Sequence, residues 1–314
     1  MVTNREETIK NAMPQEKLVE EYIDSLDKSE NTVISYGGIL RRYCDYLRAN
    51  HIDKPIEKNL KKYKDFLAND KEVIRHSATI QKTVVCLRMF YRWCERRGYY
   101  PNISTELEGV KITPTFKRSA LDIEDAIKLL ELVDKRKGKS ITNLRDCAIV
   151  NLIIKTGLRT IEVERANVED IVEKGKFTYL YVQGKGHDDK DDPIKLPKSV
   201  LDLINEYLEK RKSDDPALFI NHGHNVKSKR IDTKTISMSI KHLLRAIGID
   251  DKSYTAHSLR HTCATIALKE GASFQQVQEV LRHKSINTTT IYAHNMERES
   301  NDVELMVDKA LTKK

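Results

Sequence analysis

Residues 256–295 read AHSLRHTCATIALKEGASFQQVQEVLRHKSINTTTIYAHN. His257 and His261 stand four apart and share one helix face. A zinc site on the HExxH plan needs a glutamate beside the first histidine, and Ser258 occupies that place. A metal cation has little use for Arg260 one turn away, so the cluster points to a bound anion. The same stretch is legible as structure. Leu259, Cys263 and Ile266 form an apolar stripe that Gly271 terminates. Ser273 and Gln276 then form a capping box for a second helix, with Phe274, Val277 and Leu281 on its buried side. RHKS makes a turn and TTTIYAHN presents Tyr292, so a short helix-turn-helix would hold His257, Arg260, His283 and Tyr292 on one wall.

Upstream of this stretch the chain divides in two. In SENTVISYGGILRRYCDYLRAN, Val33, Tyr36, Leu40, Tyr43 and Leu47 recur at three-and-four spacing, and Ser29 or Asn31 can cap the start. A second helical pattern, ATIQKTVVCLRMFYRWCERRGYY, buries Val84, Leu87, Tyr91 and Cys94 and closes at Gly98. Arg88, Arg92 and Arg96 run along its other side, either as a solvated face or as a stripe laid on phosphates. A polar stretch containing Pro114 marks a linker over residues 103–117. Beyond it a helix starts near Asp122, NLRDCAIVNLIIKTG is a buried helix closed by Gly157, and FTYLYVQGKGHDDKDDPIKLP reads as two strands around a Gly-Lys-Gly turn. The expected architecture is mainly α with a small antiparallel sheet, as a tail over 1–13, a helical domain over 14–102, the linker, and a second domain over 118–314.

The totals agree with a nucleic-acid partner without demanding one. A chain of 314 residues accommodates two cores, and its net charge is +8. Residues 1–117 carry 21 basic and 17 acidic residues, and residues 118–314 carry 34 and 30, so both halves are mildly basic. The five cysteines are scattered with no CxxC pair, which indicates neither a disulfide framework nor a zinc knuckle. No apolar run approaches a bilayer span of about eighteen residues, and MVTNREETIK lacks a signal-peptide core. The expectation is a cytoplasmic protein with no membrane partner, no metal and no cofactor.

The ordered set resembles the tyrosine site-specific recombinases, the integrase and Xer group, over nearly the whole chain. GLRTIEV at 157–163 is similar to the family's first arginine box, and GKG at 184–186 to its hairpin lysine. HSLRHTCAT is similar to its His-x-x-Arg box, and LRHKS followed by IY to its second histidine and nucleophilic tyrosine. The resemblance implies a helical core-binding domain and a catalytic domain forming a C-shaped clamp on double-stranded DNA with a short inverted-repeat core site. It further implies a homo-tetramer on two sites, a Holliday junction, and exchange of a C-terminal helix. For that helix, Val303, Met306, Val307, Ala310 and Leu311 supply an apolar stripe.

The chemistry of the residues fits this resemblance independently. Negative charge develops on the non-bridging oxygens of a phosphodiester under attack, and arginine is permanently charged and matches phosphate with paired donors. Arg159 and Arg260 are expected to form that clamp, with His257 and His283 donating to the same oxygens or managing the tyrosine proton. Tyr292, whose phenol ordinarily titrates near about pH 10, becomes a nucleophile where such cations favour its phenolate. The resemblance assigns protonation of the leaving 5′-oxygen to Lys185, and Glu162 and His261 are expected to support their neighbours. Two departures stand out. The family commonly has glycine where Arg282 stands, and this residue either adds a phosphate contact or shifts His283. Asp191 and Asp192 precede Pro193 where apolar residues are usual, which makes Lys190 a rival to Lys185. His187, His222, His224 and His294 show no metal-ligand spacing. A type IB topoisomerase shares the catalytic set, but the compact helical first half argues against it; a non-catalytic DNA-binding regulator would lack one of Arg159, Arg260 and Tyr292. Only about a dozen residues precede the first helix, too few for the arm-binding domain of some phage integrases.

Overall fold

Among the described residues of the first hundred, apolar residues at helical spacing form four helices: α1 (Gln15–Asp24), α2 (Glu30–Ala49), α3 (Glu57–Asn69) and α4 (Ser77–Arg96). The computed structural model describes residues 15–69, 76–111, 119–183, 189–223, 229–282 and 311–312. The chain separates into two compact units, residues 1–115 and 116–314.

The first unit has an aromatic core. Tyr43 and Tyr91 are buried and share a 2.9 Å hydrogen bond, and the Tyr91 hydroxyl donates onward to Gln15 Oε1 at 3.4 Å, so both hydroxyls are satisfied where water cannot reach them. Tyr22 packs edge-on against Phe90 and Trp93. Helix α4 ends as its glycine demands: Gly98 is left-handed at φ 71°, and the Tyr99 N–H donates back to the Cys94 carbonyl at 2.9 Å. Val84, Leu87, Tyr91 and Cys94 are all buried, while Arg92 and Arg96 face solvent. Arg88 instead donates to the Leu107 carbonyl.

That bond corrects the start of the linker. Ile103 and Leu107 are buried in the first core, and the Val110 N–H donates to Gln81 Oε1 at 2.8 Å. Residues 103–110 therefore belong to the first unit. Polar neighbours hid three apolar anchors spaced four and three apart. Residues 112–117 of the expected linker lie outside the described residues.

In the second unit, α5 (Ile123–Lys137) starts at Asp122, whose side chain accepts from the Asp125 N–H at 2.7 Å. Helix α6 (Ile141–Thr156) is buried on almost every side and packs against α5, α8 (Lys198–Arg211) and α10 (Ala256–Lys269). A helix apolar all round has to lie at the centre of a domain. Between α6 and α8 lie the short α7 (Thr160–Arg165), a 3₁₀ turn at Val168–Asp170, and an antiparallel sheet of order β1-β2-β3: Ile171–Lys174, Phe177–Val182 and Asp192–Lys195. Strands β2 and β3 are the expected pair, with Leu180 opposite Ile194 and both buried. Strand β1 was not legible in the sequence, because Glu173 and Lys174 mask a four-residue edge strand. Helices α9 (Thr233–Ala246), α10 and α11 (Phe274–Leu281) follow among the described residues. Among the described residues no helix is long and apolar enough to cross a membrane.

The junction between α6 and α7 depends on one glycine. Gly157 closes α6 at φ 67°, and a Cβ added there would lie 2.5 Å from Leu281 Cδ2. Gly271 is also left-handed, but a Cβ there would meet nothing within 4 Å. Gly157→Ala should therefore cost roughly 1–3 kcal/mol of overpacking in addition to backbone strain. Thermal unfolding should show a fall of roughly 3–10 °C, larger than that of Gly271→Ala. Equal falls in the two variants would mean that the approach of α11 to Gly157 is not constrained.

Candidate active site

Arg159 is the N-cap of α7, and Glu162 is three residues into it, so the helix start itself brings their side chains together. The Arg159 N–H donates to Glu162 Oε2 at 2.7 Å, and Arg159 Nη1 donates to Oε1 at 2.6 Å. The Glu162 side chain is 0% exposed. The outer side of the Arg159 guanidinium reaches the end of α11, where Nη2 donates to the carbonyls of Leu281 at 3.2 Å and Arg282 at 3.0 Å.

Arg260 reaches the same place from α10. It is 1% exposed, and its two terminal nitrogens donate to the carbonyls of Gly157 and Leu281. Helix α10 is fixed at its start by a capping box in which Ser258 Oγ accepts from the Thr255 N–H at 3.0 Å. The serine that displaced the glutamate of a zinc motif is thus the residue that caps the helix. Thr262, one residue past His261, accepts from the Leu121 N–H at 2.9 Å and ties α10 to the chain entering α5. The rings of His257 and His261 meet edge to face with centroids 4.6 Å apart. Helix α11 starts at the expected capping box of Ser273 and Gln276, and buries Val277 and Leu281; Phe274 is a correction, since it is 45% exposed. At N1 of so short a helix its side chain falls beside the buried stripe.

Arg282, expected to touch phosphate or to displace His283, turns inward. Its Nη2 donates to Glu162 Oε2 at 2.7 Å and its Nη1 to the Val280 carbonyl at 2.7 Å. Three guanidinium groups and one carboxylate therefore surround the last carbonyls of α11. Burial alone would raise the Glu162 carboxyl, but the Arg282 guanidinium, the Arg159 N–H and the Arg159 guanidinium outweigh it and hold Glu162 below the usual carboxylate range. With three cations set against one anion, a hydrogen-bonding guanidinium surface of this kind is suited to an anion with several oxygens.

The fold brings together Arg159, Glu162, Arg260 and Arg282, and carries His257 and His261 on the helix of Arg260. Lys185, His283 and Tyr292 lie outside the described residues, as do His187, His224 and His294. The rival lysine, Lys190, is paired with Asp170 at 2.5 Å. His222 accepts or donates at 3.0 Å with the Tyr207 hydroxyl, and burial, with Arg145 and Arg211 nearby, pushes its pKa down. Among the described residues no group of three His, Cys, Asp or Glu side chains could hold a metal ion. Sequence reasoning missed the carbonyl of Leu281, which accepts from both Arg159 and Arg260. A main-chain acceptor leaves no mark in residue type.

Glu162→Gln should leave two partly buried guanidinium groups without their counter-charge, at a cost of up to about 3–5 kcal/mol near neutral pH. Because the folded-state pKa of Glu162 is lowered, its stabilisation is complete above the unfolded carboxyl pKa and is lost as pH falls through the folded value. Urea unfolding across a pH series should show the gap between wild type and Glu162→Gln closing on the acid side. A gap independent of pH would mean that Glu162 is not held as a carboxylate.

The comparisons with known proteins bear on this arrangement. Residues 120–299 match the family model described as the phage integrase family. The tyrosine recombinase XerD of Staphylococcus epidermidis is 30% identical over 294 residues, covering 88% of this chain and 93% of that one. The fold is similar to that of the XerH site-specific recombinase bound to its palindromic difH substrate in a post-cleavage complex, with a TM-score of 0.71 at 21% identity over 87% of this chain and 80% of that one. It is also similar to a lambda integrase tetramer bound to a Holliday junction, with a TM-score of 0.68 at 18% identity over 90% and 78%. The chain belongs to the phage integrase family of tyrosine site-specific recombinases, enzymes that break and rejoin DNA.

Proposed function

We propose that this recombinase cuts each strand of a short inverted-repeat duplex through Tyr292, with Arg159 and Arg260 as the phosphate clamp. The observation that carries this reading is the convergence of three guanidinium groups with a single carboxylate at the end of α11, inside the segment that matches the family. Such a cluster favours the pentacoordinate phosphate, whose added negative charge falls on the non-bridging oxygens. Oη of Tyr292 attacks phosphorus and the bond to the 5′-oxygen breaks. Lys185 gives that oxygen its proton, and His257 and His283 donate to the phosphate or manage the tyrosine proton. One phosphodiester becomes another, so no external energy source enters the step. A free 5′-hydroxyl of a partner strand then attacks the 3′-phosphotyrosine and releases the tyrosine.

The helical first unit is read as the core-binding domain, with Arg92 and Arg96 as its exposed phosphate contacts, and the second unit as the catalytic domain. Arg88 is left out of that stripe because its guanidinium is committed to Leu107. Four protomers on two sites, joined by exchange of the C-terminal helix, complete the proposal. Its support is the tetrameric assembly of lambda integrase and the 80% exposure of Leu311, an apolar member of the expected stripe. A helix of about three turns is marginal alone and gains stability from a partner surface.

The nucleophile is tested with nicked duplexes carrying a randomised inverted repeat, resolved on denaturing gels. Wild type should give a covalent adduct. Tyr292→Phe should give none while still retarding the same duplex in native gels, and an adduct in that variant would remove Tyr292 from the mechanism. Assembly is tested separately by truncation after Asn301. The shortened chain should bind single sites normally but lose the slower paired-site species; full recombination by it would make the tail a local packing element.

A further inference from the structure

Arg282 sits where an arginine is unexpected twice over. It ends α11 in the left-handed region, with φ 51° and ψ 49°, a conformation normally left to glycine or asparagine. Its side chain is only 12% exposed, although nothing about a helix terminus requires an arginine to be buried. Both features follow from what the guanidinium does. Nη1 returns to the Val280 carbonyl of its own helix, and Nη2 crosses to Glu162 Oε2, each at 2.7 Å. In the other direction, the Arg282 carbonyl accepts from Arg159 Nη2 at 3.0 Å. The two segments are thus bonded reciprocally, side chain to side chain and side chain to backbone.

The carboxylate of Glu162 is divided between two cations. Oε1 holds the Arg159 guanidinium, while Oε2 holds the Arg159 N–H and Arg282. Without Arg282, the whole charge of Glu162 would fall on Arg159. We infer that Arg282 is a positioning residue: it latches the start of the segment carrying His283 and Tyr292 to the helix of Arg159, and it keeps Arg159 from being neutralised by its own carboxylate. This role rests on the assignment of Arg159 and Tyr292 made above. In this role the Arg282 guanidinium acts through Glu162 and Arg159 and not on the phosphate itself.

The test uses the full chain with Arg282→Gly, Arg282→Gln and Arg282→Lys. The glycine variant relieves the left-handed backbone, and the lysine variant keeps the charge. On a nicked duplex recovered by wild-type capture, Arg282→Gly and Arg282→Gln should bind with a Kd within twofold of wild type but form the adduct at least tenfold more slowly. Arg282→Lys should recover most of the rate. Wild-type rates in the glycine and glutamine variants, or no recovery with lysine, would overturn the inference. A second measurement needs no DNA. In a double-mutant cycle of Glu162→Gln and Arg282→Gln on urea unfolding, the two changes should be coupled by at least tenfold in the unfolding equilibrium, about 1.4 kcal/mol. Coupling below threefold would overturn the latch. Failure of wild type to form any adduct would count against the recombination reading instead, and the unfolding cycle would still decide the latch.

Discussion

Every α-helix ends in carbonyls that have no partner within the helix, and the way α11 meets this constraint organises the second unit. Its last carbonyls, at Val280, Leu281 and Arg282, are taken up by Arg282, Arg159 and Arg260. These arginines come from three parts of the chain more than a hundred residues apart at the extremes. The approach is possible because Gly157 presents no Cβ to Leu281 and adopts the left-handed turn that closes α6. Any larger residue would meet the Leu281 side chain at the end of α11, beside the acceptors that orient both clamp arginines.

Magnitudes indicate how the charges are held. A cation at a helix C-terminus gains about 0.3–1 kcal/mol from the macrodipole, and up to about 2 in partly buried geometry. Removing the partner of a buried ion pair costs about 3–5 kcal/mol. Glu162 is therefore the dominant anchor of Arg159, and the carbonyls chiefly set direction. Arg260, 1% exposed, donates to the carbonyls of Gly157 and Leu281. Its guanidinium lies where water contributes little screening. Such a group interacts strongly with an incoming phosphate, which agrees with chemistry that stabilises an anionic transition state through fixed donors.

The first unit uses a different strategy. Its core contains several tyrosines, and a chain of hydrogen bonds through Tyr43, Tyr91 and Gln15 satisfies the hydroxyls of the first two. The chain leaving α4 continues across the unit through Ile103, Leu107 and Val110, with Arg88 and Gln81 of α4 bonding its main chain. An arginine in a basic stripe can thus serve the backbone of its own domain. Sequence spacing placed Arg88 among phosphate-facing residues because periodicity reports which face of a helix a residue occupies, not what its long side chain reaches.

The sequence by itself determined six of the helices, α2, α4, α5, α6, α10 and α11, with ends at Asp122, Ser273, Gly98 and Gly157, the β2–β3 pair, and the family. These depend on local rules: apolar periodicity, side-chain capping, glycine in left-handed turns, and motifs in a set order. Only the tertiary structure decided that Ser258 caps α10, that residues 103–110 belong to the first core, and that Phe274 faces outward. The same holds for Arg282, which faces Glu162 and not solvent, and for the Leu281 carbonyl, which joins the two clamp arginines. Each of these is a contact between segments distant in sequence or with a main-chain oxygen. A backbone carbonyl is the same at every residue, so its role appears only when the fold carries a donor to it.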